Sequence, residues 1–149
     1  MKLIPTIFFP GACKDAITFY REALGAVVLF DVSVGELVPP DAVRPGTEHR
    51  TLRAGLQIGD DIIYLSDGHG PAALSFEGFG LSLQAASMAE AERMMQALSE
   101  GGKVQIALRK TAWAAAFGTV TDKFNLRWAI EFGTSPLLAH AQAHADIRP

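Results

Sequence analysis

Four polar side chains on two strand-like segments are the residues whose types and spacing could do chemistry. They are Arg53 and Gln57 on one segment, and Arg127 and Glu131 on the other. Within each segment the two residues alternate with apolar positions, so they share one face of a strand whose other face packs under helices. A guanidinium can hold an anion, and a carboxylate can transfer a proton. The alternative is that all four are ordinary solvated surface groups.

The two tryptophans differ in what their positions predict. Trp128 has the parity of the apolar residues in its segment, which predicts a core position. Trp113 precedes the last predicted hairpin in a less regular segment, so its ring is the better candidate to stack on a flat ligand.

Thiol and imidazole groups give weaker signals. Cys13 lies at the start of a predicted helix, where the helix dipole can lower a thiol pKa, but no base is paired with it in the sequence. We therefore interpret it as a small buried apolar residue. As the single cysteine, it also excludes a zinc site built from several thiolates. His140 and His144 have helical spacing without the glutamate of the zinc-protease motif, and an alanine-rich terminal helix explains them better.

The elements that position these residues occur in two similar runs. The first predicts strands at 3–9, 26–34, 50–58 and 62–66, a helix at 12–24 and a Pro-rich loop at 35–47. The second predicts strands at 80–85, 103–108, 115–121 and 126–132, with a helix at 88–98. The segment REALGAVV at 21–28 also resembles LSEGGKVQ at 98–105. Two copies of one β-α-β-β-β unit explain this order.

The predicted fold is therefore α+β, with tandem β-α-β-β-β units forming a curved mixed sheet and helices on its outer face. We expect one domain over residues 1–149, with unit one at 1–67, unit two at 79–133 and a tail or helix at 134–149. If the two units pair into one sheet, Arg53, Gln57, Arg127 and Glu131 converge on a shared concavity, which makes them substrate-binding candidates together with Trp113.

Composition narrows the partners and the compartment. A chain of 149 residues that is 49% hydrophobic can bury a substantial core. Its formal net charge of -3 gives no field that would collect phosphates, so neither nucleic acid nor an anionic membrane is expected as a partner. The first apolar run is interrupted by Pro5 and Pro10, which does not fit a signal peptide, and the single cysteine agrees with a reducing compartment. We expect a cytoplasmic protein.

Several short motifs resemble a known superfamily. They are Phe19-Tyr20, Leu24-Gly25, Gly101-Gly102-Lys103-Val104, Trp113, Phe117-Gly118, Asp122-Lys123-Phe124 and Trp128. Together with the duplication, this pattern resembles the PhnB-like branch of the vicinal oxygen chelate superfamily, which includes glyoxalases, bleomycin resistance proteins and dioxygenases. The resemblance extends over about 4–132 and implies a homodimer. It does not by itself imply one activity, because these proteins share an architecture and differ in the site.

The resemblance also implies where a metal would bind in the metal-using members. Their ligands come from the first and last strands of each unit, and the matching positions here are Pro5, Ile63, Ala129 and the segment 80–82. These residue types do not chelate a divalent ion well, and Arg53 replaces a frequent histidine with a group that has no free lone pair. We therefore expect no metal and no other cofactor.

Three functional hypotheses remain from the sequence. The leading one is a metal-free protein that binds a small, partly aromatic or polar molecule. The second is an enzyme of this superfamily, either a metal-dependent one, a transferase, or an acid/base isomerase or lyase in which Glu131 is the catalytic candidate and Arg53 stabilises an enolate-like charge. The third is a dimeric scaffold. The sequence leaves open the ligand, any catalysis, and whether the units pair within one chain or across a dimer.

Overall fold

The computed structural model of the chain describes residues 1–69 and 75–134. Its internal contacts divide the chain into two compact units, with the boundary between residues 74 and 75. Each unit is a four-stranded mixed sheet with a main helix packed on it. The predicted α+β class with tandem units is therefore confirmed.

In its described residues, 1–69, unit 1 contains four strands and two α-helices. In chain order they are β1 (Thr6–Phe8), α1 (Cys13–Leu24), β2 (Val27–Ser33), α2 (Val34–Leu37), a 3-10 helix (Pro40–Ala42), β3 (Thr51–Ile58) and β4 (Asp61–Ser66). The strand order across the sheet is β1-β4-β3-β2. β1 runs parallel to β4, and the other neighbours are antiparallel.

Unit 2 repeats this topology. Its elements are β5 (Leu81–Ala85), α3 (Met88–Leu98), β6 (Lys103–Arg109), β7 (Ala114–Thr121) and β8 (Arg127–Thr134). The strand order is β5-β8-β7-β6, and only the β5–β8 pair is parallel. The shared strand order shows that the internal repeat of the sequence is a repeat of one fold unit.

The helices form where the apolar spacing predicts them. α1 buries one stripe of side chains against the sheet, including Ala16, Tyr20 and Ala23, and ends at Gly25, whose φ of 66° is the left-handed conformation that glycine adopts without strain. α3 begins after Ser87, whose hydroxyl accepts a hydrogen bond from the Glu90 amide.

The loop prediction for unit 1 changes in detail. The region 35–47, predicted as a loop, contains the 3-10 helix and most of α2, because the Ser33 and Glu36 pair forms a capping box that starts a helical turn. The predicted terminal helix with His140 and His144 lies outside the described residues. Within 1–69 and 75–134, no helix combines the length and apolar character needed to cross a membrane.

Candidate functional site

The sheet of unit 1 has one face under α1 and a second face, here called the α1-distal face. Ala54 and Leu56 of β3 are fully buried toward α1, so Arg53, Gly55 and Gln57 face the other way. The strand pairing adds Phe30 and Tyr64, whose Cα atoms pair with that of Gly55. The predicted parity of Arg53 and Gln57 is therefore confirmed.

Arg53 is part of an aromatic cluster on this face. Its guanidinium carbon lies 5.4 Å from the centroid of the Tyr64 ring. The ring of Phe30 meets Tyr64 edge-on, with 5.7 Å between the centroids. A contact between a cation and an aromatic ring favours this position of the guanidinium, while its N–H donors stay available to an anion. The cluster combines flat apolar surface with one positive charge.

Gly55 explains why Phe30 can lie across the sheet. A Cβ atom at position 55 would lie 2.5 Å from a ring carbon of Phe30, so any larger residue would displace the ring. β2 also has a register shift between Val28 and Phe30, which turns the Phe30 side chain onto this face. The glycine and the bulge together build the cluster.

The remaining predicted residue of unit 1 is less available. The side-chain amide of Gln57 donates a hydrogen bond to the Gly59 carbonyl at 3.0 Å, so it is engaged at the hairpin turn.

Phe8 is 53% exposed, and the pairing of β1 with β4 places it on the α1-distal face. An exposed phenylalanine extends the apolar surface of this face.

The sheet of unit 2 also has a face that points away from its helix, here called the α3-distal face. It carries the predicted residues Arg127 and Glu131. Arg127 is exposed and Glu131 is half-buried. They lie four positions apart on β8, a span of about 13 Å, and they form no ion pair in the part of the chain that the structure describes. The Cα atom of Glu131 pairs with that of Phe117, whose ring meets the exposed Trp113 ring edge-on at 5.5 Å. The Trp113 ring is therefore in contact with this face, and its role as a ligand contact stays a prediction.

Trp128 lies in the core, as its parity predicts. Its side chain is 1% exposed, and its indole Nε1 donates a hydrogen bond to the Asp122 carboxylate at 2.8 Å. The other oxygen of this carboxylate accepts hydrogen bonds from the Phe124 and Leu126 amides. Asp122 thus fixes the turn between β7 and β8. Its residue type alone does not indicate this structural role.

Cys13 is a buried residue, as interpreted from the sequence. Burial, and then the negative charge of Asp67, raise the pKa of its thiol to about 12, although the nearby Thr51 hydroxyl acts in the opposite direction. The thiol therefore stays protonated at neutral pH and is a poor nucleophile. The Asp67 carboxylate accepts hydrogen bonds from the Cys13 and Thr51 amides, which ties the start of α1 to the start of β3.

The positions that the superfamily uses for metal do not fit a metal ion here. Ser82 and Ala129 are paired across β5 and β8, and the carbonyl of Pro5 accepts the Tyr64 amide. Ile63 is buried toward α1, so its assignment to a ligand position is wrong: the α1-distal residues of β4 include Ile62 and Tyr64. None of these side chains is a carboxylate, imidazole or thiolate.

The Ile63 error comes from counting along the two hairpins. In the first hairpin, the pair nearest the turn is Ile58 with Asp61, and it encloses two residues. In the second hairpin, the pair nearest the turn is Thr121 with Arg127, and it encloses five residues. The same count from each turn therefore reaches opposite faces. Among the residues that the structure describes, no group of three or more His, Cys, Asp or Glu side chains could hold a metal ion.

Comparison with known proteins identifies the family. A model of the Glyoxalase/Bleomycin resistance protein/Dioxygenase superfamily matches residues 3–130. The chain belongs to this superfamily. It is 34% identical over 140 residues to Protein YjdN of Escherichia coli (strain K12), covering 87% of this chain and 94% of that protein.

Solved structures agree with this membership. Protein PA1353 from Pseudomonas aeruginosa is 32% identical, with a TM-score of 0.78 over 91% of this chain and 99% of that one. A PhnB protein from Bacillus cereus is 17% identical, with a TM-score of 0.74 over 89% of this chain and 100% of that one, which supports the fold alone. The resemblance seen in the sequence motifs is thus confirmed at the level of the superfamily and of a PhnB-like structure.

Proposed function

We propose that this superfamily member binds a planar, negatively charged small molecule on the α1-distal face of unit 1, without a metal ion. The observation that carries the proposal is the Arg53 guanidinium held over the Tyr64 ring, with Phe30 edge-on beside it. The rings offer flat apolar area, and the guanidinium offers two parallel donors to a carboxylate.

The chemistry of the cluster favours an anion over a neutral ligand. Arg53 forms no ion pair with the described residues, so none of them already neutralises its charge. An aromatic carboxylate would stack on the rings and pair with the guanidinium at the same time. A neutral ring of the same size would gain the stacking contact only.

Benzoate and benzyl alcohol are suitable probes, because they share a ring and differ in charge. We expect benzoate to bind more tightly in calorimetric titrations and to shift the NMR signals of Phe30 and Tyr64. Arg53→Ala should weaken benzoate binding about tenfold, which corresponds to about 1.4 kcal/mol. Arg93→Ala is the matched control, since it removes the same charge from an exposed helical position in unit 2.

Equal benzoate affinity in Arg53→Ala and in the unchanged protein would refute the proposal. So would benzoate binding that shifts no signal from Phe30 or Tyr64. Tight, stoichiometric binding of a divalent metal in a separate titration would refute its metal-free part.

The other sequence hypotheses stay predictions. Glu131 as the base of an isomerase or lyase would require turnover that Glu131→Ala abolishes, measured on a panel of α-keto and thiol-adduct substrates. The homodimer, the dimeric scaffold and the cytoplasmic location also stay predictions. The convergence of the polar faces on one concavity does too, because the structure defines each unit by itself.

A further inference from the structure

Unit 1 also contains a cavity. The segment between β2 and β3, residues 34–50, covers the start of β3 and the end of β4 and encloses a cavity of about 450 Å³. This volume is within the range of small-molecule pockets. We call it the segment pocket, and Arg53, Tyr64 and Phe30 are not among its described lining residues.

The segment that encloses this pocket is held by its own hydrogen bonds. The Val34 amide donates to the Arg50 carbonyl at 2.8 Å, which closes the two ends of the segment on each other. The Thr47 hydroxyl donates to the Arg44 carbonyl at 2.7 Å, and an Arg44 guanidinium nitrogen donates to the His69 carbonyl at 3.3 Å. The pocket is thus formed before any ligand arrives, which lowers the entropy cost of binding.

The lining combines an apolar wall with positive charge. Val34, Val38 and Val43 provide the apolar part. Arg44 and Arg50 are the charged residues of the lining, and no acidic residue is among those described there. Neither arginine forms an ion pair with the described residues. An apolar body with an oxyanion at one end matches this arrangement.

The Thr51 side chain adds a buried hydroxyl to the lining. It lines the pocket and is 1% exposed, and its hydroxyl has no hydrogen-bond partner of full geometry among the described residues. The Cys13 thiol is its neighbour, but a thiol is a weak hydrogen-bond partner. An oxyanion would be a better acceptor for this hydroxyl than the thiol.

We propose that the segment pocket binds a small aliphatic carboxylate, with the carboxylate at Arg44 and Arg50 and the aliphatic chain against the valines. This site is separate from the Arg53 cluster, and neither of the two binding proposals depends on the other. Hexanoate is the probe that fits the proposal. Hexanol, acetate and inorganic phosphate separate the contribution of the charge from that of the chain.

Titrations followed by calorimetry and by methyl NMR test the proposal. Hexanoate should shift the methyl signals of Val34, Val38 and Val43, and it should bind at least tenfold more tightly than hexanol or acetate. Phosphate that binds as tightly as hexanoate would overturn the proposal, because the apolar wall would then contribute nothing.

Variants of the two arginines complete the test. Arg50→Ala and the exposed Arg44→Ala should each weaken hexanoate binding about tenfold, and thermal unfolding of each variant checks that it is folded. Arg93→Ala should leave hexanoate affinity unchanged. Hexanoate affinity that is the same in both pocket variants as in the unchanged protein would overturn the proposal. Loss of hexanoate binding in Arg53→Ala alone would overturn it as well, because it would place the ligand at the aromatic cluster.

Discussion

Replacing Asp122 with alanine should be among the most destabilising single changes in unit 2. The carboxylate is 3% exposed and accepts hydrogen bonds from two amides and one indole at 2.9, 3.1 and 2.8 Å. Hydrogen bonds to a charged group contribute about 1.5–3 kcal/mol each. The amides of Phe124 and Leu126 can regain part of this from water if the turn relaxes, whereas the buried indole of Trp128 cannot. We therefore expect Asp122→Ala to lower the free energy of unfolding by about 3–5 kcal/mol.

Urea unfolding followed by tryptophan fluorescence measures this change. Both tryptophans of the chain, Trp113 and Trp128, belong to unit 2, so the signal reports the unit that contains Asp122. The matched control is Asp60→Ala, which removes an exposed aspartate from the hairpin turn of unit 1 and should cost less than about 0.5 kcal/mol.

A double-mutant cycle isolates the indole contact. Trp128→Phe removes the Nε1 donor, and its effect together with Asp122→Ala should be smaller than the sum of the two by about 2 kcal/mol. A loss below about 1 kcal/mol in Asp122→Ala, or additive effects in the cycle, would refute the reasoning. Either result would show that the turn between β7 and β8 does not depend on the buried carboxylate.

Two further predictions follow from the packing of unit 2 and from the thiol of unit 1. Gly118→Ala would place a Cβ atom 2.8 Å from the Ile106 carbonyl oxygen. We therefore expect it to lower the free energy of unfolding by about 1–3 kcal/mol. An unchanged urea midpoint would contradict this expectation. Because burial and the charge of Asp67 raise the pKa of Cys13 from 9.0 to about 12, its contribution is complete below pH 9 and is lost as the pH rises toward 12. Stability measured from pH 8 to 11 should fall more steeply for the unchanged protein than for Cys13→Ala, and parallel curves would contradict this.

The order and type of the elements were predictable from the sequence because they follow from local periodicity. The spacing of Ala16, Tyr20 and Leu24 defines the buried stripe of α1, and Gly25 marks its end. The predicted helix at 88–98 has the bounds of α3. Alternation along β3 and β8 correctly assigned Arg53 and Gln57 to one face and Trp128 to the core.

The composition of the candidate sites was not predictable in the same way. The contact of Arg53 with Tyr64 joins two strands, and its geometry depends on the register between them and on a bulge that brings in Phe30. The Ile63 error has the same origin, since a difference in turn length reverses the face that a count from the turn reaches. The segment pocket lies under a region that sequence rules predicted as an irregular loop.

The sequence by itself determined the strands and the main helix of each unit, that they repeat, and which side chains of β3 and β8 share a face. These features depend on neighbours a few residues apart, where backbone geometry fixes the spacing. Only the tertiary structure decided that Arg53 meets Tyr64, that Asp67 joins the Cys13 amide 54 residues away, and that Arg44 reaches the His69 carbonyl. Contacts of this kind depend on strand register and loop closure, which many sequences with the same periodicity would satisfy differently.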